Sequence, residues 1–323
     1  MVSGKSESDS KSKLFTVTVI SGKGGVGKTS ITSSLAFMLA KQNHSIIVAD
    51  ADVDAANLAI LFRPLENNAF DQNKTVRTVQ TTEKAEFLPE KCIHCKQCID
   101  QNFCSFDALS WDEQNKIPIV DTIACEGCRA CHLLCPTHAF KIASVNSGTI
   151  TSFQTDYDFP LISGETILGS QTSGKMVTEL RKVAESRAQE EKRKLLLMDG
   201  PPGIGCPVLA AVTGVDFVIL VTEPTTAALH DVKRAISIVS SFNIPFGIII
   251  NKRDMNPEMY NKMTEYFNQK GWEILGSFPL NERWPYAIVN QQPIVKFLED
   301  DKISHEFEKI SQKLWQKQLD LIS

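Results

Sequence analysis

Two sets of residues in this chain have the types and the spacing to do chemistry. The first is Gly22-Lys23-Gly24-Gly25-Val26-Gly27-Lys28-Thr29-Ser30. Its glycines let the backbone curl so that successive N–H groups point at one centre, which is how a phosphate is held. In such a loop Lys28 reaches the β and γ phosphates, the Thr29 hydroxyl holds Mg²⁺, and the following helix adds its positive end. The second set is eight cysteines, Cys92, Cys95, Cys98, Cys104, Cys125, Cys128, Cys131 and Cys135, inside one window of 44 residues. With no export signal ahead of it, that clustering points to metal rather than disulfides, because the cytosol keeps thiols reduced.

The elements that position these residues follow from the apolar pattern. Residues 13–20 form an apolar, β-branched run, 28–42 carry apolar residues at helical spacing, and 45–49 are apolar again. This strand, loop, helix and strand order is a βαβ unit, which predicts a mostly parallel sheet flanked by helices. The rhythm resumes after residue 141. Continuous apolar runs at 195–198, 215–221 and 246–250 read as strands buried on both faces, with helices over 176–193 and 226–242 between them. The cysteine block is therefore an insertion in one α/β domain built from 14–64 and 145–323. Residues 65–85 are polar and read as a linker into an inserted α+β domain at 86–144, and 1–13 read as a disordered tail.

Composition narrows the function. The 323 residues are 42% hydrophobic and 22% charged, as in an ordinary globular protein. A net charge of −4 argues against a sequence-independent nucleic-acid binder, and no apolar run is long enough to span a membrane. The tail lacks the apolar core of a secretory signal, so a cytoplasmic location is expected.

The extra lysine, Lys23, gives the loop a deviant Walker A form. KGGVGKT resembles that of the family containing MinD, ParA, the arsenite-pump ATPase and the nitrogenase iron protein. The resemblance implies ATP hydrolysis and a homodimer when ATP is bound, with Lys23 reaching the partner's nucleotide. It also implies two switch loops. In Asp50-Ala51-Asp52-Val53-Asp54, Asp52 takes the place of the aspartate that orients the attacking water and contacts the Mg²⁺ shell, with Asp54 a second candidate. In Leu195-Leu196-Leu197-Met198-Asp199-Gly200-Pro201-Pro202-Gly203, Asp199 serves the Mg²⁺ shell and the Gly203 N–H the γ-phosphate.

Asn251-Lys252-Arg253-Asp254 fits the guanine-reading N-K-x-D pattern. The MinD-type family instead uses the equivalent asparagine on adenine, together with a loop that Phe278-Pro279-Leu280-Asn281 resembles. ATP is the expected nucleotide, with Asn251, Lys252, Pro279 and Asn281 around the base.

The cysteines form two versions of one unit, Cys92-x2-Cys95-x2-Cys98-x5-Cys104 and Cys125-x2-Cys128-x2-Cys131-x3-Cys135-Pro136. This resembles a bacterial two-cluster ferredoxin. In that pattern the fourth cysteine of each unit serves the other cluster. The resemblance thus implies one [4Fe–4S] cluster on Cys92, Cys95, Cys98 and Cys135, and a second on Cys125, Cys128, Cys131 and Cys104. The first unit departs from the pattern, with five residues rather than three before Cys104 and serine after it. Zinc is the rival, although zinc takes four sulfurs two and two, whereas each unit here offers three closely spaced. His94, His132 and His138 lie among the ligands and read as supporting or surface residues.

A MinD-type ATPase with an inserted ferredoxin is itself a recognisable bacterial and archaeal family, and the chain resembles it from Leu14 to about Phe297. The ninth cysteine, Cys206, stands at the offset where the nitrogenase iron protein ligates a cluster shared across its dimer. No second cysteine follows Cys135 to complete such a site. Three function classes stay open: nucleotide-gated electron transfer to a redox partner, ATP-dependent assembly of metal cofactors on a client metalloprotein, and membrane-associated spatial organisation. For the last, Ile303, Phe307, Ile310 and Leu314 fall at helical spacing, but the opposite face mixes Asp, Glu and Lys, which argues for docking on the domain rather than on a membrane.

Overall fold

The computed structural model describes residues 13–62, 74–167, 172–298 and 301–322. Its elements begin with β1 (Phe15–Ser21), α1 (Lys28–Lys41), β2 (Ile46–Asp50) and β3 (Thr75–Val79). The cysteine region follows as β4 (Thr82–Phe87), α2 (Gln97–Asp100), β5 (Leu109–Asp112), β6 (Ile117–Val120), α3 (Ala130–Leu134) and β7 (Phe140–Val145). Next come β8 (Gly148–Gln154), β9 (Pro160–Thr166), α4 (Ser173–Glu190), β10 (Leu195–Pro202), α5 (Cys206–Val212), β11 (Phe217–Thr222) and α6 (Thr226–Ser241). The chain continues through β12 (Phe246–Ile250), α7 (Pro257–Gln269), β13 (Ile274–Ser277), α8 (Arg283–Val289), α9 (Ile294–Phe297) and α10 (Lys302–Ile322).

Nine strands make one sheet in the order β13-β12-β11-β1-β10-β2-β9-β8-β3. The strands from β13 to β9 run parallel, while β8 pairs antiparallel with both β9 and β3. Each central strand feeds two cores, because successive side chains point to opposite faces. On β10, Leu195 and Leu197 pack with α1 and α10 residues such as Leu35, Phe307 and Leu314. Leu196 and Met198 pack on the other face with Leu180, Val208, Val232 and Phe267 of α4 to α7. Burial on both faces is why these strands are unbroken apolar runs.

The chain order reverses at β1, which has β10 on one side and β11 on the other. A crevice opens beyond the carboxyl ends of the strands at such a point, and the glycine loop lies there. Ile303, Phe307, Ile310 and Leu314 of α10 are all buried in the first core, so that helix docks on the domain as expected. Among the described residues no helix is long and apolar enough to cross a membrane.

The stretch read as a linker over 65–85 needs correction. Residues 65–73 lie outside the described residues, but Thr75–Val79 is the outermost strand of the main sheet and Thr82 already begins β4. The signal was missed because four of the five β3 residues face solvent, so the strand carries no apolar pattern. The tail expected over 1–13 lies outside the described residues except for Lys13, whose Nζ is 3.0 Å from Asp216 Oδ1.

The insert hangs from the sheet edge. β4 pairs antiparallel with β7, and β5 with β6. The strand leading in and the strand leading out are clasped by Ser147, whose Oγ accepts the N–H groups of Thr81 at 2.7 Å and Thr82 at 2.8 Å. A separate small core of Ala85, Ala108, Ala139, Phe140, Cys125, Cys131 and Cys135 holds the insert together.

Candidate nucleotide and metal sites

The glycine loop joins β1 to α1 and needs its glycines for space. Gly27 sits at φ +94°, and a Cβ there would come within 2.4 Å of the Asn251 side chain. A Cβ on Gly22 would be 2.5 Å from the Asp231 backbone. At the start of α1, Lys28 is 7% exposed and its Nζ lies 2.9 Å from Asp199 Oδ1 and 3.4 Å from Asp52 Oδ2. The Thr29 hydroxyl donates to Asp199 Oδ2 at 2.6 Å, and the Thr32 hydroxyl donates to Asp199 Oδ1 at 2.8 Å. Lys28, Thr29, Asp52 and Asp199 are thus brought together as the sequence predicts.

Three carboxylates surround one ammonium. Burial pulls the Lys28 pKa down, but the attraction of Asp199, Asp52 and Asp50 outweighs it and the net shift is upward. Asp50, fully buried, is pushed up to about 8 by desolvation first and by Asp199 second. Asp52 is raised by burial, with Lys28 pulling the other way. The surplus negative charge beside a threonine hydroxyl is a hard-oxygen donor set of the kind Mg²⁺ takes. These residues fit that ion.

Asp52 and Asp54 have separate surroundings. Asp54 Oδ1 accepts hydroxyl bonds from Thr166 at 2.7 Å and Ser173 at 2.9 Å, which ties it to β9 and α4. Asp52 alone of the two faces Lys28. Gly203, expected on the γ-phosphate, donates its N–H to the Ser21 carbonyl at 2.8 Å, which docks the loop after β10 on the end of β1.

Lys23 folds onto its own chain, with Nζ 2.6 Å from Glu223 Oε1. Lys252 shares the same carboxylate at 2.8 Å and also donates to the Gly25 carbonyl at 2.9 Å. Burial acts to raise the Glu223 pKa, but hydrogen bonds from both lysines hold it below the usual glutamate value. Glu223 escaped the motif reading, although a carboxylate directly after the buried β11 stands at the strand end where ligands bind. Asn251 is buried, donates to the Val26 carbonyl at 2.9 Å, and accepts from the Lys252 N–H. Asp254, the residue that made the guanine pattern, accepts the Leu280 N–H at 2.6 Å and so holds the loop carrying Pro279 and Asn281. That loop lines a cavity with Arg253, Phe278 and Lys302, and the Asn281 side chain accepts the Arg283 N–H at 2.8 Å.

In the insert the eight cysteines sort into the linings of two small cavities of about 20 Å³ each. Cys92, Cys95, Cys98 and Cys135 line one, with Phe87, Trp111 and Phe140. Cys104, Cys125, Cys128 and Cys131 line the other, with Ala85, Leu109 and Ile142. Each unit therefore lends its fourth cysteine to the opposite cavity, and Cys104 reaches its place despite the longer loop before it. The backbone repeats as well. Positive φ recurs at His94 and Gly127, at Lys96 and Arg129, and at Asp107 and His138. Ala108 donates its N–H to Cys104 Sγ and Ala139 to Cys135 Sγ, both at 3.3 Å.

Burial, followed among the raising causes by the neighbouring thiols, pushes Cys98 and Cys131 up to about 11. Such thiols surrender their protons when a metal replaces them. Among the described residues no three His, Cys, Asp or Glu side chains converge on a point for a single ion. The N–H groups of Ala108 and Ala139 aimed at cysteine sulfur are of the kind that tune a sulfur-ligated cluster. The three histidines stay outside both linings. His94 Nδ1 lies 2.7 Å from the Lys116 carbonyl, His132 Nδ1 2.6 Å from that of Phe140, and His138 Nδ1 3.2 Å from that of His132. Cys206 is exposed at the start of α5, away from these cavities' linings.

The CobQ/CobB/MinD/ParA nucleotide binding domain matches residues 17–294. The chain belongs to this family. An uncharacterised protein of Methanocaldococcus jannaschii is 33% identical over 301 residues, which is 93% of this chain and 96% of that relative. An iron-sulfur cluster carrier protein of Methanococcus maripaludis is 24% identical over 322 residues, covering 94% of this chain and 85% of its own. Among solved structures, the septum site-determining protein MinD of Pyrococcus horikoshii, complexed with Mg-ADP, superposes with a TM-score of 0.56. The match covers 96% of this chain and 99% of that one at 16% identity, which establishes the common fold. The mostly parallel, helix-flanked sheet expected of a MinD/ParA P-loop domain is the one observed.

Proposed function

We propose that this protein hydrolyses ATP with Mg²⁺ at the glycine loop and couples the resulting switch movements to electron transfer through two [4Fe–4S] clusters in the insert. The observation that carries this reading is the crossed sorting of eight cysteines into two four-sulfur cavities, attached to a MinD/ParA-family nucleotide domain. Clusters of this type supply one-electron redox chemistry when bound. The chain's own residues do the rest. Cys92, Cys95, Cys98 and Cys135 would hold one cluster, and Cys104, Cys125, Cys128 and Cys131 the other.

At the nucleotide, Lys28 neutralises β and γ phosphate oxygens, Thr29 and Asp199 hold Mg²⁺, and Asp52 orients the attacking water. Asn251 and the Pro279–Asn281 loop face the base, and ATP is the nucleotide. The ATP-bound form is a homodimer in which Lys23 exchanges Glu223 for the partner's phosphates. The electron acceptor is a separate protein.

A second reading has its own support. The 24% identical relative is named an iron-sulfur cluster carrier, which favours ATP-dependent delivery of clusters to a client metalloprotein. Crossed ligation, with three of the four cysteines in each set buried or half-buried and only Cys95 and Cys128 exposed, favours resident clusters over released ones.

Anaerobically purified protein should carry close to eight irons per chain, with EPR of the reduced form showing two interacting cubane clusters. Cys135→Ala should halve the iron and remove the cluster otherwise held by Cys92, Cys95 and Cys98. Stoichiometric zinc without iron would sink the reading. Quantitative transfer of iron to an apo-protein on ATP addition would replace it with the carrier reading.

A further inference from the structure

The sequence offers only a covalent route between nucleotide and insert, since one switch precedes the insert and the other follows it. The structure adds a shorter one through the start of α4. Asp54, two residues from Asp52, accepts the Ser173 hydroxyl at 2.9 Å. The adjacent Thr172 Oγ1 lies 2.9 Å from Thr81 Oγ1 and 2.8 Å from Thr82 Oγ1, at the root of β4. The same turn touches α5, the helix that follows Gly203. A Cβ on Gly174 would be 3.3 Å from the Cys206 backbone, and Arg181 further along α4 donates to the Ala210 and Thr213 carbonyls at 2.9 and 2.6 Å.

From Thr82 the contacts run straight to one cysteine loop. Glu83 accepts both of its bonds from Arg129 Nη2, at 3.0 and 2.9 Å. The Glu83 carbonyl presses on Gly127 so closely that a Cβ there would stand 2.2 Å away. Lys84 donates to the Cys125 carbonyl at 2.5 Å, and the Ala85 N–H donates to Cys125 Sγ at 3.3 Å. Three consecutive residues of β4 thus grip the segment from Cys125 to Arg129. The Cys92 unit is braced from inside the insert instead, with His94 against the Lys116 carbonyl and Lys96 against Glu113 at 2.9 Å.

We propose that Thr172 and Ser173 form the junction through which switch I acts on the insert, and that the cavity of Cys104, Cys125, Cys128 and Cys131 is the one that senses nucleotide. This rests on the nucleotide-coupled reading above. A packed, hydrogen-bonded chain of this kind carries coupling when its first member has two positions, and switch loops have them. Thr172 and Ser173 are positioning residues and touch no phosphate.

The test is hydrogen exchange on the full, cluster-loaded chain with and without Mg-AMPPNP. In the wild type, nucleotide should protect residues 50–58, then 79–87 and 124–131, with a smaller change at 92–98. Thr172→Val keeps the shape and removes the hydroxyl, while Ser173→Ala cuts the link to Asp54. Each should bind Mg-AMPPNP as the wild type does and retain the response at 50–58. Each should also lose at least half of the response at 124–131. If Thr172→Val does not fold, Ser173→Ala alone decides. Undiminished transmission in the folded variants, or a wild-type response larger at 92–98 than at 124–131, overturns the junction while leaving the coupled reading standing. A wild-type insert that ignores nucleotide while 50–58 responds overturns both.

Discussion

Lys28 is held by opposing effects: burial disfavours its charge, and three carboxylates more than restore it. On the proposed function, a phosphate and a divalent cation would each replace part of what Lys28 and the aspartates now give one another. Replacing Lys28 with Ala removes a charged hydrogen-bond donor to phosphate, a loss of about 1.5–3 kcal/mol or roughly tenfold to a hundredfold in nucleotide affinity. Asp52→Asn should keep that affinity within a few-fold and slow turnover by about 100-fold or more, as loss of a water-orienting base does. Equilibrium binding and steady-state kinetics on both variants separate the two roles. Wild-type turnover by Asp52→Asn would remove the residue from hydrolysis. These residues were legible because each motif is contiguous. Glu223, Thr172 and Ser147 were not, because each gains its role from a partner far away in the chain.

Among elements, the buried strands read cleanly because their neighbours on both faces demand apolar side chains. The edge strands did not, since β3 shows solvent most of its length and its register comes from pairing with β8. The helix at the C-terminal end of the described chain tests the reading of an apolar stripe. Phe307 is fully buried and stacks on Phe278 with centroids 4.2 Å apart. Phe307→Ala should lower stability by about 3–5 kcal/mol, read as an earlier midpoint in chemical denaturation. A change below about 1 kcal/mol would mean the stripe is not a core element and would reopen a role for it at a surface.

At the scale of the molecule, a nucleotide domain and a cysteine insert share one sheet edge. The Ser147 clasp and the start of α4 are places where the main sheet's surroundings touch the root of the insert. The crossed cysteine pairing was legible from spacing combined with a known pattern. Its position relative to the switches was not, because it depends on β3 and β8 extending the sheet to carry the insert beside α4. Coupling between the two sites is reciprocal, so a nucleotide that alters the clusters must itself bind differently to oxidised and reduced protein.

Redox titration of the loaded chain, monitored by EPR in the apo state and with Mg-AMPPNP, measures that coupling directly. The account predicts that at least one cluster shifts, and a shift of about 60 mV in a one-electron couple would correspond to roughly 1.4 kcal/mol, within the usual range for allosteric coupling. Identical potentials in both states, with equal nucleotide affinity for oxidised and reduced protein, would contradict it.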